Sequence, residues 1–168
     1  LVGLLAGLLD RKHAREWSTA GQVGGALALS KESRSNEYAA DKAGIEAVLV
    51  GGAVVSVYSK GAYRSGDLDF VTGKGLHEKI QTVLEGIGFK KVRGRHFEHP
   101  ECQHLIIEFP PGPVSIGEDF KIRPDEVKVE GQRLKILSPT NCIRDRLASY
   151  IHFKAREGLD QAVLVAKT

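Results

Sequence analysis

The sequence of 168 residues contains no methionine, not even an initiator, which leads us to expect a trimmed or incompletely recorded start. Cysteine is nearly as scarce. Cys102 and Cys142 are too few for a disulfide framework, so a reducing cytoplasm is the default expectation. Neither lies beside a signature that would activate a thiolate, and both read as structural. Long apolar runs are also missing. Residues 1–9 are apolar but far short of the ~20 that a membrane span requires. With no basic region before them, they suit one face of an amphipathic helix better than a signal peptide. There is little excess charge of either sign: 24 Lys and Arg against 21 Asp and Glu give +3, too small to mark nucleic-acid binding yet compatible with an anionic ligand. No internal repeat or low-complexity segment is present. No Ser or Cys nucleophile motif accompanies the acids discussed below, which disfavours an α/β hydrolase.

What remains is an ordinary globular composition, 42% hydrophobic and 27% charged. Its length suits one domain spanning 1–168. The pattern divides it into an N-terminal helical region (1–44), an α/β core (45–137) and C-terminal helices (138–168). Helices are expected over 2–17 and 36–42, with a small, Gly-rich connection at 18–25. Strands are expected at 46–50, 68–71, 89–92 and 104–109, the last stopped by the prolines at 110–113. A hairpin over 126–129 and 134–137 turns at Gly131. Apolar residues at Leu76, Ile80, Val83, Leu84 and Ile87 have helical spacing, with Gly88 as the cap. Residues 53–58 should be helical despite their valines, because a strand there would leave the Gly51-Gly52 turn no way to present its amides. Ser138-Pro139-Thr140 signals another helix start. That helix carries Ile143, Leu147, Tyr150 and Ile151 on one face and ends near Gly158, and a final helix follows at 159–166.

The chemistry concentrates in residues 48–72, VLVGGAVVSVYSKGAYRSGDLDFVT. On a strand, Asp67 and Asp69 project to one face while Leu68 and Phe70 bury behind them. Two such carboxylates repel unless a cation lies between them, and a hard divalent ion such as Mg²⁺ takes oxygen ligands. The glycine pair lets backbone amides approach a phosphate at a helix start. A third acid, Glu108, closes the apolar strand before the prolines. Three carboxylates on adjacent strands suit phosphoryl or nucleotidyl transfer.

Two other clusters are weighed against simpler readings. His96, His99, Cys102 and His104 have spacing compatible with zinc. Pro100-Glu101 instead suggests a hairpin turn, and alternating faces favour surface or supporting histidines. Arg144, Arg146, Lys154 and Arg156 form no single basic stripe. They read first as a solvated face countered by Asp145 and Glu157, and second as Arg146 and Lys154 bordering a substrate entrance.

Gly-Gly, a spacer, Asp-x-Asp among apolar residues and a later strand carboxylate resemble the polymerase-β-like nucleotidyltransferase superfamily. The similarity looks greatest to a branch of small prokaryotic nucleotidyltransferase-like proteins that includes toxins of toxin–antitoxin systems. It rests on LVGGAVVSVYSKGAYRSGDLDFV, IIEFPPGPVSIGED and ILSPTNCIRDRLASYIHFKAREGLDQA, over residues 48–166. The resemblance implies an α/β (α+β) fold with a twisted mixed sheet flanked by helices. It implies Mg²⁺-dependent transfer of a nucleoside monophosphate from an NTP to a hydroxyl of RNA (tRNA included), protein or a small molecule. Asp67, Asp69 and Glu108 are the implied metal ligands and catalytic acids, with Glu108 as ligand or general base. Gly51, Gly52, Arg64 and Ser65 are the implied nucleotide contacts. A cognate antitoxin is an implied partner and a membrane is not. A regulatory module that binds nucleotide or a partner without turnover is the competing expectation. Two departures stand out: 14 residues separate Gly52 from Asp67, a long spacer, and Gly-Gly replaces the usual Gly-Ser, removing a phosphate-facing hydroxyl.

Overall fold

The computed structural model describes residues 45–129 and 132–168, without the side chains of 102–105, 129 and 132. The helices expected at 2–17 and 36–42, the connection at 18–25, and the turn at Gly131 lie outside the described residues.

An apolar strand, β1 (Ala47–Val50), runs straight into helix α1 (Gly51–Tyr58). Gly51 makes this junction with a φ of 72°, a left-handed conformation that costs glycine little and other residues more. The helix thus starts at the glycine pair itself, two residues earlier than expected, and buries Ala53, Val54 and Val55 completely. Strand β2 (Asp67–Thr72) follows, then helix α2 (His77–Gly86), whose buried Ile80 and Leu84 are one turn apart. Gly88, with φ 93°, ends α2: its amide and that of Phe89 bond back to the carbonyls of Glu85 and Leu84.

Three strands come next: β3 (Lys90–Arg93), β4 (His96–His99) and β5 (Cys102–Glu108). The hairpin β6 (Asp125–Val129) and β7 (Gln132–Ile136) completes a seven-stranded sheet in the order β3-β4-β5-β2-β1-β7-β6. β1 pairs antiparallel with β2 and parallel with β7, and β2 pairs parallel with β5. The sheet is therefore mixed, and the strand carrying Asp67 and Asp69 lies at its centre. The α/β architecture expected from the sequence is the one observed.

The core gathers on the face that carries Leu68 and Phe70. Phe109 lies between Phe70 and Phe97, at ring-centroid distances of 6.2 and 5.8 Å, and Ile80, Leu84 and Ile107 belong to the same cluster. Each such aromatic contact contributes about 0.5–1.5 kcal/mol beyond its burial. Leu68 and Phe70 are locked in place by this packing, which turns the intervening Asp69 to the opposite face.

Helices α3 (Pro139–Phe153) and α4 (Arg156–Ala166) form an antiparallel hairpin that packs on α1. As expected, Ser138 caps α3 by accepting from the Asn141 amide, with Pro139 in the first turn. The expected end near Gly158 is corrected. The chain leaves α3 through Lys154 in a left-handed conformation (φ 57°), and Gly158 lies inside α4. It serves there as a contact point, since a Cβ at Gly158 would lie 2.7 Å from the Arg146 carbonyl. Ile151, expected on the packed face, is exposed because α3 meets α4 along a different stripe.

Candidate functional site

The register of the central strands brings the acids together. Asp69 on β2 is paired with Val50 on one side and with Glu108 on the other. Two carboxylates from parallel neighbours therefore lie side by side, and Asp67 points to the same face two residues earlier. Asp69 is half-buried, and its carboxyl is pushed up to about 7. Burial is the largest cause, followed by the charges of Asp67 and Glu108 and by a hydrogen bond with Glu108, while Arg146 opposes the shift. Burial and like charge so close together both favour the neutral form of Asp69.

Two of the three acids have a supporting contact. Ser65 Oγ donates to Asp67 Oδ1 at 2.7 Å, and Glu108 is paired with His96 of β4, which the register places directly opposite. The Gly51-Gly52 junction faces the same group. Any Cβ at Gly51 would press into the Asp69 carboxylate, and one at Gly52 would come within 2.7 Å of Ser65 Oγ. The absent side chain at position 52 thus leaves room for a hydroxyl supplied by Ser65 from thirteen residues further along the chain. α1 begins after Val50 without a side-chain cap, and its first two residues are buried against Asp69 and Ser65.

The long spacer is a closed loop. Beyond α1 the chain turns through Lys60 (φ 52°) and Gly61 (φ 82°). The Tyr63 amide then bonds to Ser59 Oγ at 3.1 Å, and the Ser65 amide bonds to Ser56 Oγ at 3.0 Å. These bonds return the chain to α1 and deliver Ser65 beside Asp67. Arg64 is exposed on this loop, outside the core of the cluster.

Sequence reasoning left the third wall of the site undecided. Arg146 of α3 is largely buried, bonded to Asp145 and, at 3.2 Å, to Gln161 Oε1. Gln161 Nε2 donates to Glu157 at 3.1 Å, and Tyr63 OH donates to the same Glu157 oxygen at 2.9 Å. Burial, then this bond to Glu157, raises the Tyr63 hydroxyl to about 12. One chain of hydrogen bonds therefore ties the α3–α4 hairpin to the loop that walls Gly52. Arg146 is held near enough to Asp69 to favour its ionised form. The solvated-face reading is thus corrected for Arg146, although Asp145 is its counter-charge as expected. Arg144 points elsewhere, to Asp119 at 2.7 Å.

The histidine cluster does not assemble into a zinc site in the described part. His99 is buried edge-on against Phe89 and accepts from the Glu101 amide at 3.1 Å, a packing role, whereas His96 serves Glu108. The side chains of Cys102 and His104 lie outside the described residues. Cys142 is fully buried, and burial pushes its thiol up to about 12, consistent with a structural role. Among the described residues, no group of three or more His, Cys, Asp or Glu side chains stands ready to hold a metal ion. The donor set of Asp67, Asp69 and Glu108 nevertheless fits a hard divalent cation. It is all oxygen, and its crowding, visible in the raised Asp69, is what such a charge would relieve. Among the described residues no helix is long and apolar enough to cross a membrane.

No family model matches the chain, and no curated protein sequence does. Solved structures do match. An antigenic nucleotidyltransferase-like protein from Paracoccidioides brasiliensis superposes with a TM-score of 0.59 at 16% identity, over 87% of this chain and 76% of its own. ANT(2")-Ia in complex with adenylyl-2"-tobramycin gives 0.51 at 14% identity, over 78% of this chain and 91% of that one. A solution structure of ANT(2")-Ia gives 0.54 at 11% identity, over 78% of each chain. At such identities the likeness establishes the fold: this chain has the mixed-sheet architecture of nucleotidyltransferase-like proteins.

Proposed function

We propose that this protein is a nucleotidyltransferase that moves a nucleoside monophosphate from an NTP to a hydroxyl acceptor. The observation that carries the reading is the pairing of Asp69 with Glu108 on parallel central strands, beside Asp67 and facing the start of α1. In this reading Asp67 and Asp69 would hold Mg²⁺, with Glu108 as a third ligand or as the general base, and the ion when bound would supply charge neutralisation for the triphosphate. The amides at the Gly51-Gly52 start of α1 receive phosphate oxygens, and neither residue carries a side chain that would displace Asp69 or Ser65 from beside them. Ser65 keeps Asp67 oriented, Arg64 offers a cation at the rim, and Arg146 adds a second positive charge from α3. The acceptor oxygen attacks the α-phosphorus, pyrophosphate departs, and the hydroxyl proton passes to Glu108. RNA (tRNA included), protein and small molecules are the candidate acceptors, a cytoplasmic setting the proposed compartment, and an antitoxin a candidate partner.

A second reading, a nucleotide-binding regulatory module without turnover, is favoured by one contact: His96 engages the same Glu108 carboxylate that chemistry would need. Incubation with each labelled NTP, Mg²⁺ and total RNA separates the two. Label on RNA that disappears in Asp67→Asn supports transfer. Nucleotide binding without label on RNA, protein or small molecules supports the module.

A further inference from the structure

Behind the acid surface lies a cleft that the proposed reaction does not use. Glu108 and Phe109 are consecutive in an extended segment and so point to opposite faces of the sheet. Phe109 faces the core and forms one wall of a cleft of about 380 Å³, a volume within the range of small-molecule sites. The cleft opens where β2 and β5, two adjacent parallel strands, reach their carboxyl ends. That is the position at which open α/β sheets bind ligands. Gly73–Leu76 after β2 and Pro110–Gly112 after β5 form its two sides, and Arg95 between β3 and β4 closes a third.

Two contacts and a stiff proline pair define the walls. A Cβ at Gly112 would overlap the Thr72 carbonyl, so the loops after β2 and β5 meet at a point only glycine can occupy. The Phe109 amide bonds to the Arg95 carbonyl at 3.3 Å, which ties the third wall to the second. Pro110 and Pro111 hold the intervening backbone in a narrow range of conformations. The lining chemistry is one-sided. Lys74, His77 and Arg95 supply the ionisable side chains, and no carboxylate is among the lining residues. The apolar lining is the half-buried Leu76, backed by the edges of the buried Ile80 and Phe109.

We propose that this cleft is a second ligand site, for a phosphomonoester carried on a small apolar or aromatic body on the scale of a nucleoside monophosphate. Lys74 and Arg95 receive the phosphate, and Leu76, backed by the buried Ile80 and Phe109, packs against the body. Binding there needs no divalent cation, because the cations are side chains. That separates it from the acid surface, and the inference stands whether or not the chain transfers nucleotides.

The test is a titration of the uniformly ¹⁵N-labelled full chain with AMP in EDTA, followed by amide NMR and repeated with inorganic phosphate. The expected result is saturable shifts at Gly73, Lys74, Gly75 and Gly112, preserved in Asp69→Asn. AMP should bind more tightly than phosphate, and Lys74→Gln/Arg95→Gln should weaken AMP binding by about tenfold or more. Both substitutions are at exposed positions outside the core, so the variant folds. No saturation by about 10 mM AMP, equal binding by the double variant, or shifts confined to Asp67–Asp69 would each overturn the proposal. Equal affinity for phosphate and AMP would overturn the role given to the apolar wall.

Discussion

The acid surface and the α3–α4 hairpin are both half-buried and polar, yet they resolve their charges in opposite ways. In the hairpin every principal group has a complementary partner: Arg146 has Asp145 and Gln161, and Glu157 has Gln161 and Tyr63. On the sheet, three carboxylates crowd together, and their repulsion adds to burial in pushing the Asp69 carboxyl up. Buried polar groups normally find partners, because leaving one unmade costs about 1–3 kcal/mol. The hairpin follows that rule and reads as scaffold. Asp69 departs from it, since the carboxylates beside it outweigh Arg146, and such a half-buried position is where a cationic ligand gains most.

Substitutions that act on one region and not the other sharpen this contrast. The largest expected effect is on activity. Asp67→Asn/Asp69→Asn should reduce nucleotidyl transfer by on the order of a thousandfold, the equivalent of several kcal/mol of lost charge stabilisation. Urea unfolding of the same variant should show no loss of stability. Loss of both together would make the acids scaffold and erase the distinction.

In the hairpin the expected order reverses, with stability affected first. Gly158→Leu forces atoms against the Arg146 carbonyl and should cost about 3 kcal/mol in urea unfolding. An unchanged midpoint would mean that α3 and α4 are not in contact there.

The third prediction concerns pH. The Asp69 carboxyl is raised in the folded protein, so its contribution to stability is present below about 4 and is lost as pH rises through about 7. Asp69→Asn removes that loss. Without Mg²⁺ it should raise the melting temperature at pH 8, by the equivalent of about 1–3 kcal/mol, and change little at pH 4. A gain at pH 4 and none at pH 8 would contradict the assigned cause.

Smaller effects follow. Gln161→Leu leaves Arg146 and Glu157 each short of one partner and should cost about 1–2 kcal/mol, measured by thermal unfolding. Glu46→Gln breaks an exposed pair with Lys135 and should leave the melting temperature unchanged within error.

Much of this was legible before any coordinates. Gly51-Gly52, Asp67-x-Asp69 and Glu108 carry signals in residue type and spacing, and alternation on a strand put the two aspartates on one face. The pairing of Asp69 with Glu108 was not legible, because strand register depends on contacts between distant segments. β4 was only implied, by the turn at Pro100-Glu101. With just four residues (HFEH) it gives too little alternation to read as a strand. Gly158 misled as a helix end because a glycine required for close helix contact and one required for a positive φ are the same letter. Ser65 was proposed for the phosphates, yet its hydroxyl is bonded to Asp67. That followed only from the loop of residues 59–66, whose shape is set by Ser56 and Ser59 hydroxyls. The placement of Arg146 depends on which face of α3 meets α4.

The most direct test of the acid surface as a metal–nucleotide site is thermal unfolding with ATP, CTP, GTP and UTP, each with and without Mg²⁺. The account predicts that at least one nucleotide raises the melting temperature only when Mg²⁺ is present, and that Asp69→Asn abolishes the rise. No Mg²⁺-dependent rise with any nucleotide, or a Mg²⁺-dependent rise that survives in Asp69→Asn, would contradict it.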